Sequence, residues 1–237
     1  MAASVEFRGV FVEPILHEID LSIRAGEAVA FIGRSGAGKT TMLRLVNGLV
    51  RPTSGEVLVD GTPLAEIDLI ALRRRTGYII QGSGLFPHRT VYENVATVPR
   101  LLGWEDGRTR EAAREILAKL DLPLERFGER SPRSLSGGEQ QRAGIARAMI
   151  AGPSMLLCDE PFGALDPIVR RDLQDAFREL RSGVTILFVT HDLAEALHVA
   201  ERVVLFDQGR VVADASAESF PRLQVPLVER FVAAAGV

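Results

Sequence analysis

The chain has 237 residues, of which 46% are hydrophobic and 25% are charged, with a formal net charge of −3. This composition favours a folded globular protein and excludes disorder as the main state, because the apolar fraction can supply a core. The 28 basic residues face 31 acidic ones, which argues against a nucleic-acid partner.

The cysteine content and the absence of long apolar stretches indicate where in the cell the protein acts. The single cysteine, Cys158, excludes an internal disulfide and a cysteine-based zinc site. No stretch of about 18 apolar residues predicts a membrane span, and the start MAASVEFRGV predicts no secretory signal. We therefore expect a cytoplasmic protein, which would reach a membrane only through a partner.

The first part of the chain predicts strands around one glycine-rich loop. Apolar residues alternate or cluster over 4–12 and 15–23, and a continuous apolar run over 28–32 predicts a strand buried on both faces. Helical spacing follows over 40–46, and turn residues bracket a short strand over 56–59. The hairpin-like turns indicate an antiparallel N-terminal portion.

The rest of the chain predicts a helical insertion and then alternating strands and helices. The predicted helices cover 108–120, 138–151, 167–181 and 192–200, and the predicted strands cover 78–80, 155–158, 184–189, 203–206 and 210–213. Alternation of this kind predicts a mostly parallel sheet, and therefore an α/β fold. We expect one domain over 1–237.

A helical insertion is expected to interrupt the core of this domain. The core, with the antiparallel portion, would comprise about 1–81 and 153–237, and the insertion would comprise about 82–152.

The string GRSGAGKT, between a predicted strand and a predicted helix, indicates a phosphate-binding loop. Its glycines let successive backbone N–H groups point into one concavity, and the helix N-terminus adds partial positive charge. Lys39, one of only two lysines beside 26 arginines, offers a compact ammonium to phosphates. A glycine-rich turn that only caps the helix is the alternative. The predicted ligand contacts of this loop are Gly33, Arg34, Ser35, Gly36, Ala37, Gly38, Lys39, Thr40 and Thr41.

Two carboxylates follow the apolar strand predicted over 155–158. Ligands of open α/β sheets bind beyond the carboxyl ends of the strands, so Asp159 would reach a Mg²⁺ ion shared with Thr40. Glu160 would face the other way, because side chains alternate at a strand end, and would polarise an attacking water. The alternative is a solvated Asp-Glu turn before Pro161.

The string LSGGEQQR opens the helix predicted over 138–151. Ser136 and Glu139 match a capping box, so a plain helix start is one interpretation. Gly137 and Gly138 also open backbone N–H groups to close approach by an anion, which favours a second ligand contact.

The joint occurrence of these motifs resembles the nucleotide-binding subunits of ABC transporters. GRSGAGKT, LSGGEQQR, MLLCDEPFGALD and FVTHDLAEA follow one another in one order along nearly the whole chain. The resemblance implies a P-loop NTPase fold of the RecA-like type, with an antiparallel β subdomain and an α-helical subdomain. It also implies MgATP hydrolysis in a homodimer in which LSGGEQQR, the signature motif of the family, closes from one subunit on the phosphate loop of the other.

The resemblance implies a role for each matching residue. The implied catalytic residues are Glu160, His191 and Lys39, and the implied metal-contacting residues are Thr40, Gln81 and Asp159. The implied nucleotide contacts outside the phosphate loop are Phe11, Gln81, Ser136, Gly137, Gly138 and Asp166. Phe11 is the candidate for stacking on adenine, although an aromatic side chain beside strands also serves packing.

The segment that follows Gln81 is similar to ATPase subunits of bacterial importers for glycine betaine, choline, proline and related osmoprotectants. The resemblance implies that a membrane permease contacts residues around Gln81–Trp104, that an extracytoplasmic substrate-binding protein acts indirectly, and that this subunit lies on the inner face of the membrane. The exposed group Leu85-Phe86-Pro87 is either part of that contact or internal packing. The chain ends at Val237, so the nucleotide-sensing modules that often follow in this group are not expected.

Three other functions stay open at this point. Amino-acid importers share much of the same pattern, so an amino-acid or other small-solute transporter is the nearest alternative. A soluble ABC ATPase and a non-catalytic nucleotide-binding regulator are the others, and the presence of both Glu160 and His191 argues against the last.

Overall fold

A computed structural model of the chain describes residues 1–163, 165–180 and 183–236. Within these ranges the strands are β1 (Val5–Val12), β2 (Leu16–Ile23), β3 (Ala28–Gly33), β4 (Ser54–Val59), β5 (Thr62–Pro63), β6 (Thr76–Ile79), β7 (Met155–Asp159), β8 (Thr185–Val189), β9 (Arg202–Asp207) and β10 (Arg210–Ser216). The α-helices there are α1 (Lys39–Val46), α2 (Leu69–Arg74), α3 (Val91–Val95), α4 (Thr97–Leu101), α5 (Asp106–Ala118), α6 (Leu124–Phe127), α7 (Gly137–Met149), α8 (Pro167–Leu180), α9 (Leu193–Val199) and α10 (Pro226–Ala235).

The strands form two sheets. The larger sheet has the order β10-β9-β3-β8-β7-β6, in which β9, β3, β8, β7 and β6 are parallel and β10 pairs antiparallel with β9. The smaller sheet has the order β2-β1-β4-β5 and is antiparallel. An Asp60-Gly61 turn joins β4 to β5, and both residues have positive φ, of 53° and 75°, as a tight hairpin requires. The predicted α/β fold is confirmed.

Strand β3 explains why the sequence shows a continuous apolar run at this point. All six of its residues are buried. Because successive side chains point to opposite faces of a sheet, Ala28, Ala30 and Ile32 join one apolar core while Val29 and Phe31 join another. The first core contains the helices of the insertion, and the second packs the antiparallel sheet and α1 against the central strands.

Several helices differ from the sequence predictions. Helices α5 and α7 begin one or two residues earlier than predicted, and α7 begins at Gly137 because the Ser136 side chain accepts a hydrogen bond from the Glu139 backbone and so caps it. Four short helices of four to six residues each were not predicted from the sequence, namely α2, α3, α4 and α6. So short a helix shows no 3.6-residue periodicity.

The C-terminal helix was also missed. Helix α10 has ten residues, starts with Pro226 and ends before Gly236 in the left-handed conformation, which are the start and stop signals that the sequence carries. Among the described residues, no helix is both long and apolar enough to cross a bilayer.

Candidate functional site

The glycine-rich loop lies between the end of β3 and the start of α1. Gly33 has φ of 145°, and a Cβ atom there would lie 2.2 Å from the Phe206 carbonyl oxygen, so only glycine fits. Gly38 has φ of 95° and precedes α1, which has no side-chain cap and no acidic residue in its first turn. The first N–H groups of α1 are therefore left for an anionic ligand.

The ammonium of Lys39 is held over this loop. Its Nζ donates to the Gly33 carbonyl at 2.8 Å and to the Arg34 carbonyl at 2.9 Å. Burial lowers the pKa of the Lys39 ammonium, and the nearby carboxylates of Glu160 and Asp159 act in the opposite direction. A buried ammonium that is bonded directly only to neutral carbonyls among the described residues is suited to a highly charged anion, which would pair with it at close range.

A cavity of about 620 Å³ opens beside the loop, a volume ordinary for a small-molecule site. The residues that line it are Ile15, Ser35, Gly36, Ala37, Gly38, Lys39, Thr40, Thr41, Gln81, Asp159, Glu160, Val189 and His191. The cavity thus brings together most of the loop and four predicted residues from distant parts of the sequence.

Those four residues meet because they follow three neighbouring parallel strands. Gln81 lies two residues after β6, Asp159 and Glu160 stand at the end of β7, and His191 lies two residues after β8. The order β8-β7-β6 places the three strand ends side by side at one edge of the sheet.

Thr40 and Asp159 form a hard-oxygen pair suited to a cation. The Thr40 hydroxyl donates to Asp159 Oδ1 at 3.0 Å. Burial raises the pKa of the Asp159 carboxyl, and the bond from Thr40 opposes this. In the described part of the chain, no group of three His, Cys, Asp or Glu side chains could hold a metal. The oxygens of these two residues fit Mg²⁺, which protein sites commonly bind through one or two side chains together with substrate phosphates.

The carboxylate of Glu160 is held from both sides. Gln81 Nε2 donates to its Oε2 at 3.2 Å, and His191 Nδ1 lies 3.2 Å from its Oε1. Glu160 has φ of 48°, and its N–H donates to the Val189 carbonyl at 3.0 Å. Glu160 thus lies in a left-handed turn directly after β7, and Gln81, which was predicted to contact the metal, donates its hydrogen bond to Glu160.

The glycines of LSGGEQQR lie in a different cavity. Ser136 and Glu139 form the predicted capping box, with bonds of 2.7 and 3.3 Å. The cavity has about 280 Å³ and is lined by Ser136, Gly137, Gly138, Glu139, Arg142, Leu165, Asp166 and Val169. It shares no lining residue with the cavity at the phosphate loop. The predicted ligand contacts therefore fall into two separate groups on one chain.

Three predicted contacts stand apart from both cavities. Gly33 and Arg34 do not line the first cavity, and their carbonyls bind Lys39 instead. Phe11 pairs with Ser54 between β1 and β4 and does not line it either. Ile15, an apolar residue that is 41% exposed, does line this cavity. Ile15 was predicted to begin the strand over 15–23 and was assigned no ligand contact, whereas in the structure it lies in the turn before β2.

Comparisons with known proteins agree with this geometry. The chain is 47% identical over 199 residues to the glycine betaine/carnitine/choline transport ATP-binding protein of Bacillus subtilis strain 168, covering 83% of this chain and 52% of the relative. It is 46% identical over 199 residues to the glycine betaine uptake system ATP-binding protein of Escherichia coli strain K12, covering 83% and 64%. The chain thus spans about half the length of the first of these relatives.

A solved structure agrees as well. A dimeric ATP-binding cassette in a post-hydrolysis state, bound to ADP and Pi, superposes with a TM-score of 0.80 at 33% identity, covering 90% of this chain and 98% of that chain. The sequence profile described as ABC transporter matches residues 16–163, and the chain belongs to this family.

Proposed function

We propose that the chain binds MgATP and hydrolyses it between two copies of itself, and that this drives an importer for a quaternary-amine osmoprotectant. The observation that carries the proposal is the cavity that joins the phosphate loop to Asp159, Glu160 and His191. Transfer of a γ-phosphoryl group to water requires positioning and charge neutralisation more than covalent chemistry. A lysine, two carboxylates and a histidine around one anion-binding loop offer both.

The phosphate loop binds and orients the nucleotide in this proposal. Its backbone N–H groups and the α1 N-terminus would bind the β- and γ-phosphates. The Lys39 ammonium, which here donates to the Gly33 and Arg34 carbonyls, would then also contact these phosphates. Thr40 and Asp159 would hold Mg²⁺, which neutralises phosphate charge when it is bound.

Glu160 is the proposed general base. Its carboxylate would accept the proton of the attacking water, and the contacts from Gln81 and His191 fix the carboxylate in one orientation. Orientation by two neighbours lowers the entropy lost in reaching the transition state.

The two separate cavities support a dimer. Ser136, Gly137 and Gly138 lie in a cavity of their own, so they would bind the nucleotide on a second copy and not the one on their own chain. The dimeric, ADP-bound cassette that resembles this chain supports the arrangement. Each nucleotide would then bridge two chains, and hydrolysis would remove the bridge.

The helical segment over about 82–152 is proposed to couple the cassette to a permease on the inner face of the membrane. Apolar side chains after Gln81 are exposed, with Phe86 40%, Leu101 58% and Leu102 40% accessible, and this exposure supports a contact with another protein. The similarity to relatives named for glycine betaine, carnitine and choline supports the substrate class. A substrate-binding protein outside the membrane would deliver the solute to the permease.

The variant Glu160→Gln tests the ATPase mechanism. We expect it to retain ATP affinity, to lose at least about 100-fold in turnover, and to accumulate as a dimer with MgATP in size-exclusion chromatography. The exposed Glu218→Gln, far along the chain after β10, is the matched control. Turnover near the wild-type value in Glu160→Gln would disprove the role of this carboxylate.

Uptake measurements test the substrate class. A strain that lacks this gene should lose uptake of radiolabelled glycine betaine, choline or proline, and the wild-type gene should restore it while Glu160→Gln should not. Loss of uptake of a labelled polar amino acid alone would instead support the amino-acid transporter.

A further inference from the structure

The first turn of α8 lines the signature cavity and a second, small cavity that shares residues with the phosphate-loop cavity. Val169 lines the cavity of the signature glycines. The next residue, Arg170, lines a small cavity of about 90 Å³. Glu160 and His191 line this small cavity and the phosphate-loop cavity alike. Two adjacent residues of one helix thus touch the two half-sites of the same chain.

Arg170 bridges the two sides with its guanidinium. Its Nη2 donates to the Leu165 carbonyl at 3.1 Å, and Leu165 lines the signature cavity. Its Nη1 lies 3.6 Å from Asp192 Oδ2, and Asp192 directly follows His191. The Arg170 side chain is 34% exposed, while its Nε atom is buried and has no hydrogen-bond partner among the described residues. The guanidinium is therefore constrained by contacts on both sides.

Asp192 has both carboxylate oxygens engaged. Oδ1 accepts from the Glu195 N–H at 3.1 Å and so caps α9, while Oδ2 faces Arg170. Its own N–H donates to the Thr190 hydroxyl at 3.0 Å. The segment Thr190–Asp192, which carries His191, is therefore oriented partly by the position of Arg170.

The signature turn presses on the same part of α8. A Cβ atom at Gly138 would lie 2.9 Å from Val169 Cγ1, so the Val169 side chain packs directly against the Gly138 backbone and leaves no room for a larger residue. Asp166 Oδ1 accepts from the N–H groups of Ile168 and Val169 and holds the start of α8 together. A displacement of the signature turn would therefore move the first turn of α8, since packed contacts of this kind transmit displacement.

We propose that Arg170, acting through Asp192, is a positioning residue that couples the signature half-site of a chain to the Glu160–His191 pair of its own phosphate-loop half-site. The inference rests on the proposed dimer, in which those half-sites hold two different nucleotides. The state of one nucleotide then sets the orientation of His191 at the other, which makes hydrolysis at the two sites cooperative.

The test compares Arg170→Met, Asp192→Asn and the double variant with the wild type. Asparagine caps a helix as well as aspartate does, so Asp192→Asn removes the charge facing Arg170 and keeps the cap of α9. The matched control is Arg171→Met, because Arg171 is on the same turn, is 60% exposed and pairs with Asp175 on its own helix. Thermal unfolding of each variant checks that the fold is retained.

We expect each single variant to bind a fluorescent ATP analogue as the wild type does and to lose about tenfold in kcat, a size typical of coupling between sites. The Hill coefficient for ATP should fall to one. The double variant should lose no more than either single variant, because both act through one contact. Arg171→Met should match the wild type.

The inference and the proposed function fail in different ways. If Glu160→Gln forms no dimer with MgATP, the proposed function is wrong, and the coupling, which requires the dimer, is refuted as well. If that dimer forms but Arg170→Met behaves like Arg171→Met, or the losses of the two single variants multiply in the double variant, only the coupling through Arg170 and Asp192 is refuted. If Arg170→Met unfolds, an unchanged kcat and Hill coefficient in Asp192→Asn refute the coupling.

Discussion

Replacement of Glu195 by glutamine should stabilise the protein at alkaline pH. Glu195 is in the first turn of α9 and is 6% exposed. Burial raises the pKa of its carboxyl from 4.5 to about 7, and the nearby Asp192 carboxylate acts in the same direction. Thr190, Arg170 and Gln174 partly oppose this by hydrogen bonds and charge.

The sign and size of the effect follow from proton linkage. Between pH 4.5 and 7 the folded protein binds more protons at this site than the unfolded chain, so stability falls as the pH rises. The loss is complete above pH 7 and amounts to about 3 kcal/mol, since each pH unit of displacement corresponds to about 1.4 kcal/mol. Glutamine has the same shape and no titration, so it avoids this loss.

Urea unfolding at two pH values provides the assay. We expect Glu195→Gln to exceed the wild type in unfolding free energy by about 3 kcal/mol at pH 8 and by about 1 kcal/mol at pH 5. The exposed Glu218→Gln is the control and should show no such difference. Equal or lower stability of Glu195→Gln at pH 8 would refute the reasoning, because it would mean that hydrogen bonds and Arg170 outweigh desolvation.

Three further predictions concern the site and its surroundings. Lys39→Ala should weaken ATP binding by at least about tenfold in isothermal titration calorimetry, because a charge-assisted contact to phosphate is lost. Unchanged affinity would contradict the proposed binding of phosphate by Lys39. Gly138→Ala should lower ATPase activity, since its Cβ would lie 2.9 Å from Val169 Cγ1. Gly107→Ala, which meets nothing within 4 Å, is its control, and equal activity in the two would refute the close approach. Phe86→Asp should keep the ATPase of the isolated chain and reduce solute uptake in cells; loss of folding would support internal packing of Phe86 instead.

Local features of the site could be predicted because they depend on neighbours in the sequence. The phosphate loop needs glycines at Gly33 and Gly38, a strand before it and a helix after it. All of these features lie within 13 consecutive residues, from Ala28 to Thr40. The capping box of Ser136 and Glu139 likewise spans one helical turn. Such features need no knowledge of the rest of the fold.

Other features had no local signal. Ile15 lines the phosphate-loop cavity only because β2 starts beside Gly38, whose Cβ would meet Leu16 at 2.4 Å. The burial of Glu195 and the bridge from Arg170 to Asp192 depend on the packing of α8 against α9. In the sequence, Glu195 and Arg170 look like ordinary polar members of amphipathic helices.

The amino-acid order by itself determined the alternation of strands and helices, the phosphate loop and the identity of the glutamine, carboxylates and histidine at three strand ends. Only the tertiary structure decided that β8, β7 and β6 are neighbours, which brings Gln81, Glu160 and His191 within hydrogen-bond distance across more than one hundred residues of sequence. It also placed the signature glycines in a separate cavity. The physical reason is that periodicity fixes which face of an element is apolar, whereas the order of the elements depends on the long-range packing of those faces against one another.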